Sequence, residues 1–157
     1  MSVLRRILCA TDFSEIAAQA FRTAQQLAAD LGAELLLLHA FETPQSLTAD
    51  SQSVPADPAI AERVRALTAA SKVPAIPVLH VGPAGEVICW VAQQRECDLI
   101  VLGTHGRTGL VHLLLGSVSE HVMRHARCPV LTVRMRPGNE PPLAEPLVLP
   151  LKAPPFM

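Results

Sequence analysis

Asp98-Leu-Ile-Val-Leu102-Gly103-Thr104-His105-Gly106, nine further residues, then Gly116-Ser117-Val118-Ser119-Glu120 is the run around which this chain is ordered. It reads as a buried strand from Asp98 to Leu102, a tight turn, a connection, and the mouth of a helix. The pattern is G-x-x-G, nine residues, G-S. Glycine adopts positive φ without penalty and lets a ligand approach with no Cβ in the way. Two such places beside a helix start would aim unpaired N–H groups and the positive end of the helix dipole at one anion, a phosphate by class. A plainer reading stands beside this one. Glycines end strands generally, and Ser117 with Glu120 three residues on is also the spacing of a capping box. The lysine of the common phosphate loop, G-x-x-x-x-G-K-[S/T], is missing. A phosphate here would rest on backbone donors and on the Ser117 or Ser119 hydroxyl.

Outward from this run, strand and helix patterns alternate. Val3 to Ala10 becomes continuously apolar toward its end, as strands covered on both faces do, and stops at Thr11-Asp12. From Ser14 the period turns helical through Ile16, Ala17, Ala20, Phe21, Ala24, Leu27, Ala28 and Leu31, and Gly32 ends it. Ala33 to Phe41 is a second buried strand. A polar loop from Glu42 to Pro58 follows, with Asp57 as cap and Pro58 in the first turn of a helix whose inward stripe is Ile60, Val64 and Leu67. Ile76 to Val81 is a third strand, placed at an edge because Pro77 has no N–H for a central ladder. Gly82 to Gly85 leads into a third helix carrying Val87, Ile88, Val91 and Ala92. A fourth helix from Ser117 to about His125 and a fifth strand, Pro129 to Val133, complete the series. Such alternation calls for one parallel sheet with right-handed crossovers, an α/β fold.

The chain's 157 residues suit one domain with a sizeable core. A net charge of -1, scattered basic residues, one Trp and no Tyr speak against nucleic-acid binding, which needs a basic face and stacking platforms. Cys9, Cys89, Cys97 and Cys128 form no C-x-x-C pair, so no zinc or redox motif is indicated. The Met1-Ser-Val-Leu-Arg-Arg start lacks a signal-peptide pattern, and no apolar run approaches the ~18 residues of a membrane span. A soluble cytoplasmic protein with reduced thiols is expected. From Pro137 on, seven prolines interleaved with Leu143, Leu147, Val148, Leu149, Leu151 and Phe156 forbid helix and ladder alike, which divides the chain into a domain over 1–136 and a Pro-rich tail over 137–157.

The segment Gly103-Thr-His-Gly-Arg-Thr-Gly-Leu…Gly116-Ser117-Val-Ser-Glu-His-Val…Cys128-Pro129-Val-Leu-Thr-Val-Arg134 resembles the signature of the universal stress protein family, in its ATP-binding branch. Ile7-Leu-Cys-Ala-Thr-Asp12-Phe-Ser14 resembles that family's first strand and turn. The resemblance covers about Val3 to Arg134 and leaves the tail aside. It implies a single doubly wound domain with a five-stranded parallel sheet in the order 3-2-1-4-5 and helices on both faces. In such a sheet the ligand crevice lies where the strand order reverses, here between the first and fourth strands. By the same resemblance Thr11, Asp12 and Ala40 would meet the nucleoside. Gly103, His105, Gly106, Gly116, Ser117, Val118 and Ser119 would meet the phosphates of ATP. Mg²⁺ would ride on phosphate oxygens and water. Family members pair strand five to strand five, which implies a homodimer through Pro129 to Arg134.

His121 and His125, four apart, share a helix face, but no Glu follows His121 as a zinc-protease helix requires, and a solvated pair is the plainer reading. No catalytic triad or Cys-His arrangement is argued by spacing. Arg107 is the only cation near the glycine run and His105 the only candidate to orient a nucleophile, so fast phosphoryl transfer is not expected. The reading is an adenine-nucleotide-binding stress-response or signalling module with at most slow ATP hydrolysis. Its rivals are a slow ATPase or autophosphorylating protein, and a dimeric interaction protein that binds no nucleotide.

Overall fold

A computed structural model describes residues 4–42, 56–105 and 115–135. Along them run β1 (Arg6–Ala10), α1 (Glu15–Leu31), β2 (Glu34–Phe41), α2 (Pro58–Ala69), β3 (Ala75–Val81), α3 (Ala84–Gln94), β4 (Leu99–Gly103), α4 (Ser117–His125) and β5 (Val130–Val133). Gly106 and Arg107, most of the connection after β2, and the Pro-rich tail lie outside the described residues.

The strands form one sheet in the order β3-β2-β1-β4-β5, every pairing parallel. This is the expected doubly wound arrangement. Residues alternate between the two faces, so the continuous apolar run of a central strand serves two cores at once. Leu8, Leu36, Leu38, Ile100 and Leu102 pack with Val87, Ile88 and Val91 of α3 and Val122 of α4. Ile7, Cys9, Leu35, Leu37 and Val101 pack with Ala20, Phe21, Ala24 and Ala28 of α1 and Val64 of α2. Each buried Leu, Ile, Val or Phe side chain among them contributes about 1.5–3 kcal/mol by leaving water. Pro77 sits on β3, whose one partner is β2, so its missing N–H costs no ladder bond.

The helix ends follow local chemistry. Ser14 caps α1, its Oγ accepting from Ala17 N at 3.2 Å, and Gly32 closes it at φ 65°. Asp57 caps α2 by accepting from Ala59 N at 2.9 Å, with Pro58 in the first turn. The stripe expected on α2 is only partly inward: Val64 and Ala61 are buried, while Leu67 is 37% exposed. α2 lies over the sheet's β2–β3 margin and meets the core through fewer residues than a central helix would. α1 likewise ends with Leu31 exposed, past the sheet.

Candidate functional site

β1 and β4 are neighbours, and their chains leave the sheet in opposite directions, β1 toward α1 and β4 toward α4. Beyond their carboxyl ends lies a cavity of about 260 Å³. Thr11, Asp12, Ala40, Gly103, His105, Gly116, Ser117, Val118 and Ser119, all predicted site residues, line it together. Gly106, also predicted, is outside the described residues.

The turn after β1 is held from below. Thr11 N donates to Leu38 O at 2.8 Å, and Thr11 Oγ1 accepts from Phe13 N at 3.0 Å. Buried His39 places Nδ1 2.8 Å from Thr11 O, which makes that nitrogen the protonated one. Asp12 does not cap α1, since Ser14 does; its Oδ1 accepts from Ser14 N at 2.9 Å and closes a small turn at the cavity edge.

Across the cavity, the α4 mouth differs from the capping-box reading. Gly116, not Ser117, is the N-cap, no side chain caps the helix, and Glu120 pairs with Arg124 at 2.8 Å instead of reaching back. A helix leaves its first N–H groups without intrahelical acceptors. Gly116 N donates to Thr104 O at 2.5 Å, and Glu120 N, the first to bond within the helix, reaches Gly116 O at 2.9 Å. Among the described residues nothing accepts from the amides of Ser117, Val118 and Ser119, and these residues line the cavity. Ser119 is buried, and its hydroxyl donates to Gly103 O at 2.6 Å, so it ties α4 to the end of β4. Ser117 is exposed and also lines the cavity.

The glycines act through closeness more than through φ. Neither Gly103 nor Gly116 has positive φ; among described glycines only Gly32 and Gly82 do. A Cβ on Gly103 would lie 2.9 Å from Ile16 Cγ1 of α1, so the strand end and the α1 start approach as only glycine permits.

Sequence reasoning missed the residues that make the space. Ala10, Ala17 and Ala84 stand where larger side chains would fill the cavity, and Leu38, Ile88 and Leu102 give it apolar walls. It also missed Thr104, which is buried, receives Gly116 N, donates its own N to Val133 O at 3.0 Å, and sets Oγ1 2.9 Å from His105 Nδ1. The Gly-to-Gly spacing pointed to that turn, but nothing in it marked Thr104 as the stitch.

The described lining contains no Lys or Arg, and Asp12 is its one carboxylate. Such a site suits an anion through backbone dipoles and the α4 N-terminus, not through a point charge. No cluster of three or more metal-binding side chains occurs among the described residues. His121 and His125 stack at 4.2 Å, and His125 Nδ1 lies 2.8 Å from His121 O, a helix-end arrangement that needs no metal. All four cysteines are free thiols. No described helix is long and apolar enough to cross a membrane.

The family model described as "Universal stress protein family" matches residues 4–134. A universal stress protein of Thermus aquaticus is 36% identical over 137 residues, covering 84% of this chain and 100% of that protein. One from Methanocaldococcus jannaschii is 50% identical over 58 residues, covering 37% of this chain and 33% of its own length. The matched stretch thus spans only a third of that longer relative. Among solved structures, universal stress protein UspA from Lactobacillus plantarum superposes with a TM-score of 0.64 at 27% identity, covering 83% of this chain and 98% of that one. Two others share the fold at lower identity. One is a universal stress protein in complex with cAMP, with TM-score 0.65, 23% identity and coverage of 84% and 98%. The other is an Arabidopsis thaliana family protein with AMP bound, with TM-score 0.57, 21% identity and coverage of 88% and 97%.

Proposed function

The chain belongs to the universal stress protein family, and from that membership we propose that its crevice binds an adenine nucleotide, ATP in the first place, as a switch in a stress-response or signalling pathway. The observation that carries the reading is the set of three amides, Ser117, Val118 and Ser119, without acceptors at the mouth of α4, lining the same cavity as Asp12. The base and ribose fit the apolar space among Ala10, Leu38, Ala40 and Ile88, with Asp12 and the backbone of Thr11 at its edge. The phosphates fit the α4 mouth. Two proteins of this fold hold cAMP or AMP, so the architecture accommodates this ligand class.

Mg²⁺ wants six oxygens in a tight octahedron. The described lining offers it the Asp12 carboxylate, one oxygen of which already accepts from Ser14 N, and the Ser117 hydroxyl. That set does not make a resident metal site, so any Mg²⁺ comes with the phosphates and their water.

Binding without fast turnover is the consistent mode. Amides and a helix dipole hold ground state and transition state about equally, which gives affinity without acceleration. No described cation faces the cavity to take up charge on a transferring phosphoryl group. Mass spectrometry of ligand released from freshly purified protein tests the class. An adenine nucleotide should be found or, for protein stripped of ligand, ATP should bind in the micromolar range. Turnover above about 1 s⁻¹ would refute the switch reading. Failure of every adenine nucleotide to bind would refute the site.

A further inference from the structure

The sheet's two faces are covered differently. On one, α3 and α4 pack closely together; on the other, α1 and α2 both rest on the sheet with scarcely any direct contact. The seam between them is a second cavity of about 500 Å³, inside the ~300–1,000 Å³ range of small-molecule pockets. Four alanines, Ala17 and Ala18 of α1 and Ala66 and Ala70 at α2, leave room between the helices, and the larger Phe21, Arg22, Arg63 and Leu67 line the space without closing it.

Two further features are more than a packing gap. Phe13 sits at φ 65°, a region that bulky side chains rarely enter and that costs free energy to hold. Its ring lines the seam, with His39 against it at 4.5 Å and the Arg63 guanidinium 4.0 Å from the ring centroid. An arginine laid on a ring keeps its edge N–H donors available to an anion. Arg22 also lines the seam and donates only to the neutral Gln19 side chain, at 2.7 and 3.2 Å. Among the described residues neither arginine is in an ion pair, and the seam's lining holds no carboxylate.

We propose that the α1–α2 seam is a second binding site, separate from the nucleotide crevice, for a small amphipathic anion: a hydrocarbon chain or ring bearing one acidic head group. The hydrocarbon would lie between Ala18, Ala66 and Leu67, and the head group would meet Arg22 and Arg63. A volume of about 500 Å³ suits a small molecule. The two sites share Thr11 and Ala17 as a common wall, but the proposal does not depend on what the crevice binds.

Decanoate, kept below its micelle-forming concentration, is the probe. It should bind the full chain saturably and shift the methyl resonances of Ala18, Ala66 and Leu67, while those of Ala84 and Ile88 in the crevice stay in place. Decan-1-ol, with the same chain and no charge, should bind at least about ten-fold more weakly, and so should decanoate to the Arg22→Gln/Arg63→Gln variant. Ala66→Trp, a change on an exposed helix face, should abolish binding by filling the seam. Absence of saturable binding up to about 1 mM, shifts confined to crevice methyls, or equal affinity in the double arginine variant would each overturn the proposal. An acidic amphipathic helical peptide that binds the seam where decanoate does not would overturn it too, in favour of protein docking.

Discussion

At the scale of single residues, Gly116 is the sharpest test of the crevice. Its backbone, φ -75° and ψ 163°, is extended and open to any residue, so Gly116→Val should fold. A branched side chain there would stand among the amides of the α4 mouth, and ATP affinity measured by titration calorimetry should fall at least about a hundred-fold. Ser117→Ala should cost less than about five-fold, because the amides remain and only one exposed hydroxyl is lost. Unchanged affinity in the Gly116 variant would refute the site. Cys9 supports a different prediction. Burial pushes its thiol from the ordinary 9.0 up to about 12. Between those values the unfolded chain has released the proton and the native chain has not. Stability is therefore full below about pH 9 and is lost as pH rises toward 12, by up to about 1.4 kcal/mol per pH unit. Urea unfolding at pH 8 and pH 10 should show the loss; buried Cys97, its thiol pushed up to about 11, adds a share of its own, so Cys9→Ala should reduce the slope and the Cys9→Ala/Cys97→Ala variant should remove most of it, whereas an unchanged slope in Cys9→Ala would assign it to other groups. At this scale the types of Asp12, Gly103, Gly116 and Ser117 announce turns and a helix mouth, and these residues do line one cavity. The sequence was not legible for Ala10, Ala17 and Ala84, because an alanine that leaves room for a ligand looks like one that fills a helix. Nor was it for Thr104 and His39, whose bonds to Gly116, Val133 and Thr11 join residues far apart in the chain.

At the scale of elements, the position of α4 decides where its amides point, and α3 sets that position. A Cβ on Gly85 would lie 2.8 Å from the His121 ring and 3.0 Å from His121 Cβ, so the first turn of α3 touches α4 with no room for a methyl group. Gly85→Ala should push α4 outward, costing about 1–3 kcal/mol of stability and weakening ATP binding although residue 85 is not itself among the cavity's lining residues. His121→Ala should remove the two shorter contacts, to the ring, and leave the 3.0 Å contact with Cβ. In a double-mutant cycle the pair should therefore recover part of the lost affinity, whereas additive losses would show that the α3–α4 contact does not position the site. The elements themselves were readable because their periods and stops agree: α1 is closed by Gly32 and α2 opened by Asp57-Pro58, as anticipated. The inward stripe of α2 was misread at Leu67, since periodicity assumes that the whole face is covered and α2 overhangs the sheet margin beside an open seam. α4 runs from Ser117 to His125 as anticipated; only the alternative of a Ser117 capping box fails, because Gly116 and Ser117 are both good N-caps and the Gly116–Thr104 bond, which no local pattern encodes, favours Gly116.

At the scale of the molecule, the alternating pattern is complete at Val133, and the family match ends at residue 134. The tail over 137–157 should therefore be dispensable for folding. Truncation after Arg136 should leave the unfolding midpoint within a few degrees of the full chain, and an insoluble or molten product would make the tail part of the core. The sheet has two edges. β3 carries Pro77, which blunts further pairing, but β5 is a short apolar edge whose one partner among the described residues is β4. Self-association through β5 would cover that edge, and a two-fold pairing buries the same patch on both copies. Val130 is a poor place to test this, because it packs on the α3–α4 core and a charge there would unfold the protein. Leu131 is 38% exposed, so a carboxylate there costs the monomer little. In a two-fold dimer, however, Leu131→Glu would bring like charges together from both copies in a desolvated seam, at a cost of several kcal/mol. Sedimentation velocity at tens of micromolar should show a dimer for the natural sequence and a monomer for Leu131→Glu, each with an unchanged unfolding midpoint when measured as monomer. A monomeric natural chain, or a variant that remains dimeric, would remove β5 as the interface.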